Sequence, residues 1–132
     1  MVTKISVNST KKDELINITR DVQRAVTESN VKHGICYIHI PHTTAAVTVN
    51  EGADPDVVTD ILTALNKLAP QLREFRHMEG NSDAHVKSSL VGISISVFIE
   101  NGTHLLGTWQ TIYFCEFDGP RNRSVQIKII EE

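Results

Sequence analysis

The sequence predicts a single α+β domain: largely antiparallel or mixed β-sheet layers with two main helices. Three observations predict it. Strands joined by hairpin signals outnumber strand–helix crossovers. Only two stretches carry apolar residues at helical spacing. No linker, low-complexity run or internal repeat interrupts the 132 residues, a length that suits one domain, residues 1–132, with its own core.

From the N-terminus, 2–9 alternates weakly, with Ile5 and Val7 on one face, and reads as a strand. A second short strand covers 15–18. Thr19 is placed to cap a helix with Asp21 in its first turn, where the helix dipole favours an acid. Val22, Ala25 and Val26 then form one stripe to about Ser29. Residues 34–41 are apolar on nearly both faces, the pattern of a buried central strand, and 45–50 follows as another. Asp54-Pro55-Asp56 is a helix start, with an N-cap acid and proline at the first helical position. Val57, Val58, Ile61, Leu62, Leu65 and Leu68 continue that helix at helical spacing, and Pro70 limits it.

The second half is β-rich. Ile93, Ile95, Val97 and Ile99 alternate along a strand that Asn101-Gly102 turns back as a type I′ hairpin. The return strand runs through Leu105 and Leu106 to Gly107, where a bulge or close backbone approach is expected. Residues 108–117 form another strand, Asp118-Gly119-Pro120 a turn, and 124–130 the last strand. The single tryptophan, Trp109, reads as core.

The net charge of -3 and the absence of a basic block beyond Arg121, Arg123 and Lys128 argue against a nucleic-acid binder. No apolar stretch is long enough to span a bilayer, and the first residues lack a secretory pattern, so a cytoplasmic protein without a membrane partner is expected. Cys36 and Cys115 sit in apolar runs and read as reduced core thiols, with a cross-strand disulfide as the alternative.

Chemistry concentrates in His77-Met78-Glu79-Gly80-Asn81-Ser82-Asp83-Ala84-His85. Two imidazoles and two carboxylates in one turning segment suit a divalent metal or a proton-transfer site. The bland alternative is a surface loop in which Asn81, Ser82 or Asp83 caps a helix through Lys87 and Ser88. A second polar cluster, His42-Thr43-Thr44, follows a buried strand, and the two segments are expected to meet. His33 and His104 read as exposed turn residues without acidic neighbours. Thr108 and Gln110 are polar among apolar residues and need partners, a ligand among them. Arg121 stands on a turn, where its planar fork suits phosphate.

His42-Thr43-Thr44-Ala45-Ala46, Asn50-Glu51, Asp54-Pro55-Asp56, Glu79 through His85, Gly107-Thr108-Trp109-Gln110 and Phe117-Asp118-Gly119-Pro120-Arg121 occur in the order of the secondary thiamine-phosphate synthase, or YjbQ-like, family, which the chain resembles over most of its length. Phe75 departs from the pattern, replacing a frequent tyrosine. The resemblance implies a small α+β fold assembled as a homotrimer and a divalent metal, Mg or Zn. His42, His77 and His85 are the implied ligands. It implies a transferase joining an aminopyrimidine methyl diphosphate to a thiazole phosphate. Glu79, Asp83 and Asn81 would act in catalysis; Arg121, Thr108, Gln110, Thr43 and Thr44 would hold the small phosphorylated substrate. Two other readings stand beside it: a metal-dependent hydrolase of a small substrate with Glu79 or Asp83 as base, and a non-catalytic metal- or ligand-binding trimer.

Overall fold

The computed structural model describes residues 1–132. Along the chain lie β1 (Val2–Asn8), β2 (Glu14–Asn17), α1 (Thr19–Ser29), β3 (His33–His39), β4 (Ala45–Glu51), α2 (Pro55–Leu68), α3 (Ser82–Val91), β5 (Ser94–Glu100), β6 (Thr103–His104), β7 (Gln110–Glu116) and β8 (Asn122–Glu131). The strands form two sheets, one ordered β1-β8-β3-β5-β6 and the other β2-β7-β4. Every pairing is antiparallel, which settles the sheet type left open by the sequence.

Alternation sets the faces, because successive side chains on a strand point to opposite sides. In the larger sheet Cys36 stands opposite Val97 and Ile129, and Ile38 opposite Ile95 and Ile127, all turned toward the smaller sheet. That sheet supplies Ala45, Val47, Ile112 and Phe114, and α1 adds Val22, Ala25 and Val26. Asn101 and Gly102 both take positive φ, 52° and 77°, as the type I′ hairpin between β5 and β6 requires. The cysteines lie in different sheets as free, buried thiols. Burial pushes Cys36 up to about 11 and Cys115 to about 12, so neither offers a thiolate near neutral pH.

Several local expectations are corrected. A third helix, α3, joins the two main ones; it is the helix through Lys87 and Ser88 that stood as the alternative reading, with Asn81 at its N-cap but no side-chain cap bond. α3 lacks an apolar stripe because its buried face is Asp83, Ala84, Lys87 and Ser88, so hydrophobic periodicity could not reveal it. Thr19 is not the cap of α1; Ile18 holds that position, the Asn17 side chain accepts the Thr19 N–H at 2.9 Å, and Thr19 Oγ1 accepts the Ile112 N–H at 2.9 Å. β6 ends at His104, leaving Leu105 57% exposed. Gly107 lies in a tight turn rather than a bulge, accepting the Gln110 N–H at 3.0 Å. Trp109 is 65% exposed and not core. His33 begins β3 beside Glu100, at 3.4 Å, and His104 is half-buried against the Thr19 carbonyl.

α2 starts as expected, with Asp54 accepting the Asp56 N–H at 2.9 Å and Pro55 next. Yet none of its residues is buried within the chain, despite its apolar stripe. No helix of the chain is long and apolar enough to cross a membrane.

Candidate functional site

β8 runs on past the end of β3. His39, the last β3 residue, pairs with Gln126, and Ser124 has no β3 residue opposite it. The His42 side chain takes that place: the Ser124 N–H donates to His42 Nε2 at 3.0 Å. Burial, and then the Arg123 charge, lower the His42 pKa from its ordinary value, with Glu116 acting in the opposite sense.

The α2–α3 connection delivers the histidine-rich segment to the same place. His77 precedes α3 and His85 sits in its first turns, with ring centroids 5.5 Å apart and planes at 88°. Glu79 Oε1 lies 3.8 Å from His77 Nε2. Asn81 is buried and donates through Nδ2 to Asp118 Oδ2 at 2.8 Å and Glu79 Oε2 at 3.4 Å. Those two carboxylates fix the amide orientation and leave Asn81 Oδ1 buried without a partner.

The turn before β8 supplies Arg121, whose Nε donates to the Asp118 carbonyl at 2.8 Å and whose Nη2 donates to Asp118 Oδ2 at 2.9 Å. Gly119 is required there, because a Cβ would fall 2.1 Å from the Lys11 carbonyl oxygen. Beneath the turn, Arg123 and Glu116 form a buried bidentate pair. Arg123 Nη2 also donates to Thr44 Oγ1 at 2.8 Å, and Ser9 Oγ donates to Glu116 Oε1 at 2.6 Å.

These three segments line one open polar pocket of about 460 Å³, with no apolar side chain beyond the Pro41 ring. It gathers His42, His77 and His85 with Thr43, Thr44, Glu79, Asn81 and Arg121. Asp83, Thr108 and Gln110 are not brought there. Asp83 is buried instead against Lys12, at 2.9 Å, and Lys87, at 3.6 Å. Thr108 is exposed on the turn before β7 and Gln110 is exposed at the first position of β7, where its side chain accepts the Gly107 N–H at 2.8 Å. Polar residues inside an apolar run looked inward-facing; the strand in fact starts only at Gln110.

Sequence reasoning did not single out Arg123, Glu116, Asp118 or Ser9. A signal existed: Arg123 shares inward parity with Val125 and Ile127, both buried, and a cation on such a face requires an anion.

No three His, Cys, Asp or Glu side chains converge closely enough to complete a metal shell. The arrangement therefore does not fit a closed four-ligand zinc site. His77, His85 and Glu79 are neighbours and Asn81 Oδ1 is left buried without a partner, but they do not by themselves form a ready-made metal site.

The UPF0047 YjbQ-like family profile matches residues 3–132. The chain belongs to this family. It is 52% identical over 130 residues to a UPF0047 protein of Methanocaldococcus jannaschii, covering 98% of this chain and 94% of that one. To the UPF0047 protein YugU of Bacillus subtilis it is 50% identical, covering 98% and 99%. Among solved structures, a family member from Clostridium acetobutylicum superimposes with a TM-score of 0.94 at 52% identity, covering 97% of this chain and 99% of that one. A protein from Sulfolobus solfataricus, described as YbjQ-like and of unknown function, gives 0.94 at 32% identity over 100% and 97%.

These findings bear out the YjbQ-like resemblance and overturn the activity attached to it. The two solved relatives are described as uncharacterised and as of unknown function, the two curated ones only as UPF0047 proteins, and none of the four carries a thiamine-phosphate synthase name. The transferase assignment is accordingly withdrawn for this chain.

Proposed function

We propose that the UPF0047 pocket binds a small phosphorylated compound jointly with a divalent metal ion. One observation carries this reading: three imidazoles, Glu79 and the Arg121 guanidinium line a single pocket with no apolar wall. In this reading His77, His85 and Glu79 face the cation, and Asn81 offers it a neutral oxygen. Thr43 and Arg121 serve the phosphate. Asp118 holds the Arg121 fork still, so little side-chain freedom is lost when an anion arrives. Bound there, the metal would supply charge neutralisation to the phosphate oxygens. Two imidazoles beside a carboxylate suit a Mn²⁺- or Zn²⁺-like ion better than Mg²⁺, and an incomplete protein shell leaves it room to share the phosphate as a ligand.

Joint binding makes a linkage prediction. Saturating Mn²⁺ is expected to tighten inorganic phosphate binding, and saturating phosphate to tighten Mn²⁺ by the same factor, in paired calorimetric titrations. His77→Ala should abolish this coupling. Arg121→Ala should weaken phosphate by roughly ten- to a hundredfold, the loss of one charge-assisted bond. Phosphate affinity indifferent to metal would end the joint-site reading.

We further propose that the protein assembles as a homotrimer, with α2 covered by neighbouring copies. The support is the stripe of Val57, Val58, Ile61, Leu62, Leu65 and Leu68, of which the chain itself covers the first five only in part and leaves Leu68 75% exposed. So many apolar residues along one helix face mark an interaction surface. Sedimentation of a stable monomer at micromolar concentration would refute it.

A further inference from the structure

His42 stands in the pocket as one of three imidazoles, yet its bonding separates it from the other two. A backbone amide has only a proton to give. Because Ser124 N–H points at His42 Nε2 from 3.0 Å, that nitrogen must present its lone pair. In a neutral ring the proton then sits on Nδ1. Nε2 is thus consumed by the strand ladder, and Nδ1 carries a hydrogen. Nδ1 has no partner in the chain and is not sealed from solvent. The ring borders both the polar pocket and the adjoining depression next to Ser88 and Gly92.

We infer that His42 is not a metal ligand but a fixed Nδ1–H donor to an oxygen of the bound anion. The inference rests on the metal-and-phosphate reading above and divides its labour: His77 and His85 face the cation, and His42 works beside Arg121 on the phosphate. A metal ligand must offer a lone pair, and His42 has already given its available one to Ser124. The ladder does more than block the metal, because it holds the ring in one tautomer and one orientation. A donor held in this way needs no reorganisation when an oxyanion arrives.

Two substitutions separate the ladder role from the donor role. In His42→Gln the amide oxygen can reach the Nε2 position and keep the Ser124 bond, while nothing donates from the Nδ1 position. In His42→Asn the short amide keeps a donor near Nδ1 and loses the ladder contact. The inference expects His42→Gln to unfold at the wild-type denaturant midpoint, to bind Mn²⁺ alone with unchanged affinity and to bind inorganic phosphate about tenfold more weakly. His42→Asn should retain more of the phosphate affinity and lose some stability. Long-range ¹H–¹⁵N spectra of the wild-type protein without ligands should show Nδ1 protonated and Nε2 bare.

A bare Nδ1, or loss of Mn²⁺ binding in His42→Gln, would overturn the assignment and return His42 to the cation. Wild-type protein that ignores phosphate altogether would overturn the ligand reading and the donor role together. The same spectrum with wild-type phosphate binding, but no loss in His42→Gln, would overturn the donor role alone.

Discussion

Glu116→Ala is expected to cost about 3–5 kcal/mol of folding stability, read as a lowered urea midpoint, because it strands the Arg123 guanidinium in a buried site. Glu116 is fully buried, and its carboxylate accepts from Arg123 Nε, Arg123 Nη2, Ser9 Oγ and the Asp118 N–H. The attraction between two such charges roughly offsets the cost of taking them out of water, but a lone charge recovers nothing. Removing both, as Glu116→Leu with Arg123→Met, should therefore restore much of the loss. A double variant as unstable as Glu116→Ala would show that the cost comes from packing.

The same pair gives the acid limb a direction. Burial on its own would raise the Glu116 pKa, but the bonds from Arg123 and Ser9, the Asp118 N–H and the Arg123 charge outweigh it and hold the folded value below the ordinary 4.5. A depressed carboxylate contributes stability in full above its unfolded pKa and loses it as pH falls through the folded value. Wild-type stability should thus decline below about pH 4.5, and the double variant should show a shallower decline over that range. Equal slopes would remove Glu116 from the acid transition.

The strands were legible because burial alternates along them. Ile5, Val7, Val97 and Ile99 were placed by period alone, and the Asn101-Gly102 turn by its two positive-φ residues. α3 was legible only from its start, as the alternative in which Asn81 caps a helix, because its inward face carries Lys87, Asp83 and Ser88, side chains that read as solvent-facing in any hydrophobic pattern. The pocket was half legible. Density of polar groups marked the His77–His85 segment, but His42 joins it through the register of β8, a long-range fact that no local spacing encodes. Asp83 misled for a related reason. A carboxylate between two histidines looked like part of their chemistry, yet on a helix it points a different way from His85 two residues on.

Lys87→Met is expected to cost about 3 kcal/mol, near the low end for breaking a buried ionic group, and to weaken the pocket as well. Lys87 is 1% exposed and bonds Asn66 of α2, Asp13 ahead of β2 at 3.3 Å and Asp83 at 3.6 Å, with its ammonium 5.9 Å from the Phe117 ring centroid. Methionine keeps most of the volume, so the loss would come from the stranded carboxylates and amide rather than from a cavity. Asp83 would retain Lys12, which is why the cost falls short of a fully orphaned charge. Burial pushes the Asp83 pKa up, and the Lys12 bond and charge, the Ala84 N–H and the Lys87 charge together bring it below the ordinary 3.8. Removing Lys87 should move it back toward that value, so the decline that Asp83 contributes as acid is added below about pH 3.8 should be shallower in the variant than in wild type. The consequence for the site follows from connectivity. Lys87 joins α2 to α3 on either side of the segment that carries His77 and Glu79, and the Gln71 side chain accepts the Asp83 N–H at 3.1 Å within it. Freed at Asn66 and Asp83, that segment should hold His77 less firmly against His85. Mn²⁺ affinity in folded Lys87→Met should then fall, while inorganic phosphate measured without metal, which relies on Arg121 and His42, should change little. Equal losses for both ligands would mean that the whole pocket collapses, and that Lys87 supports the fold rather than the metal half of the site.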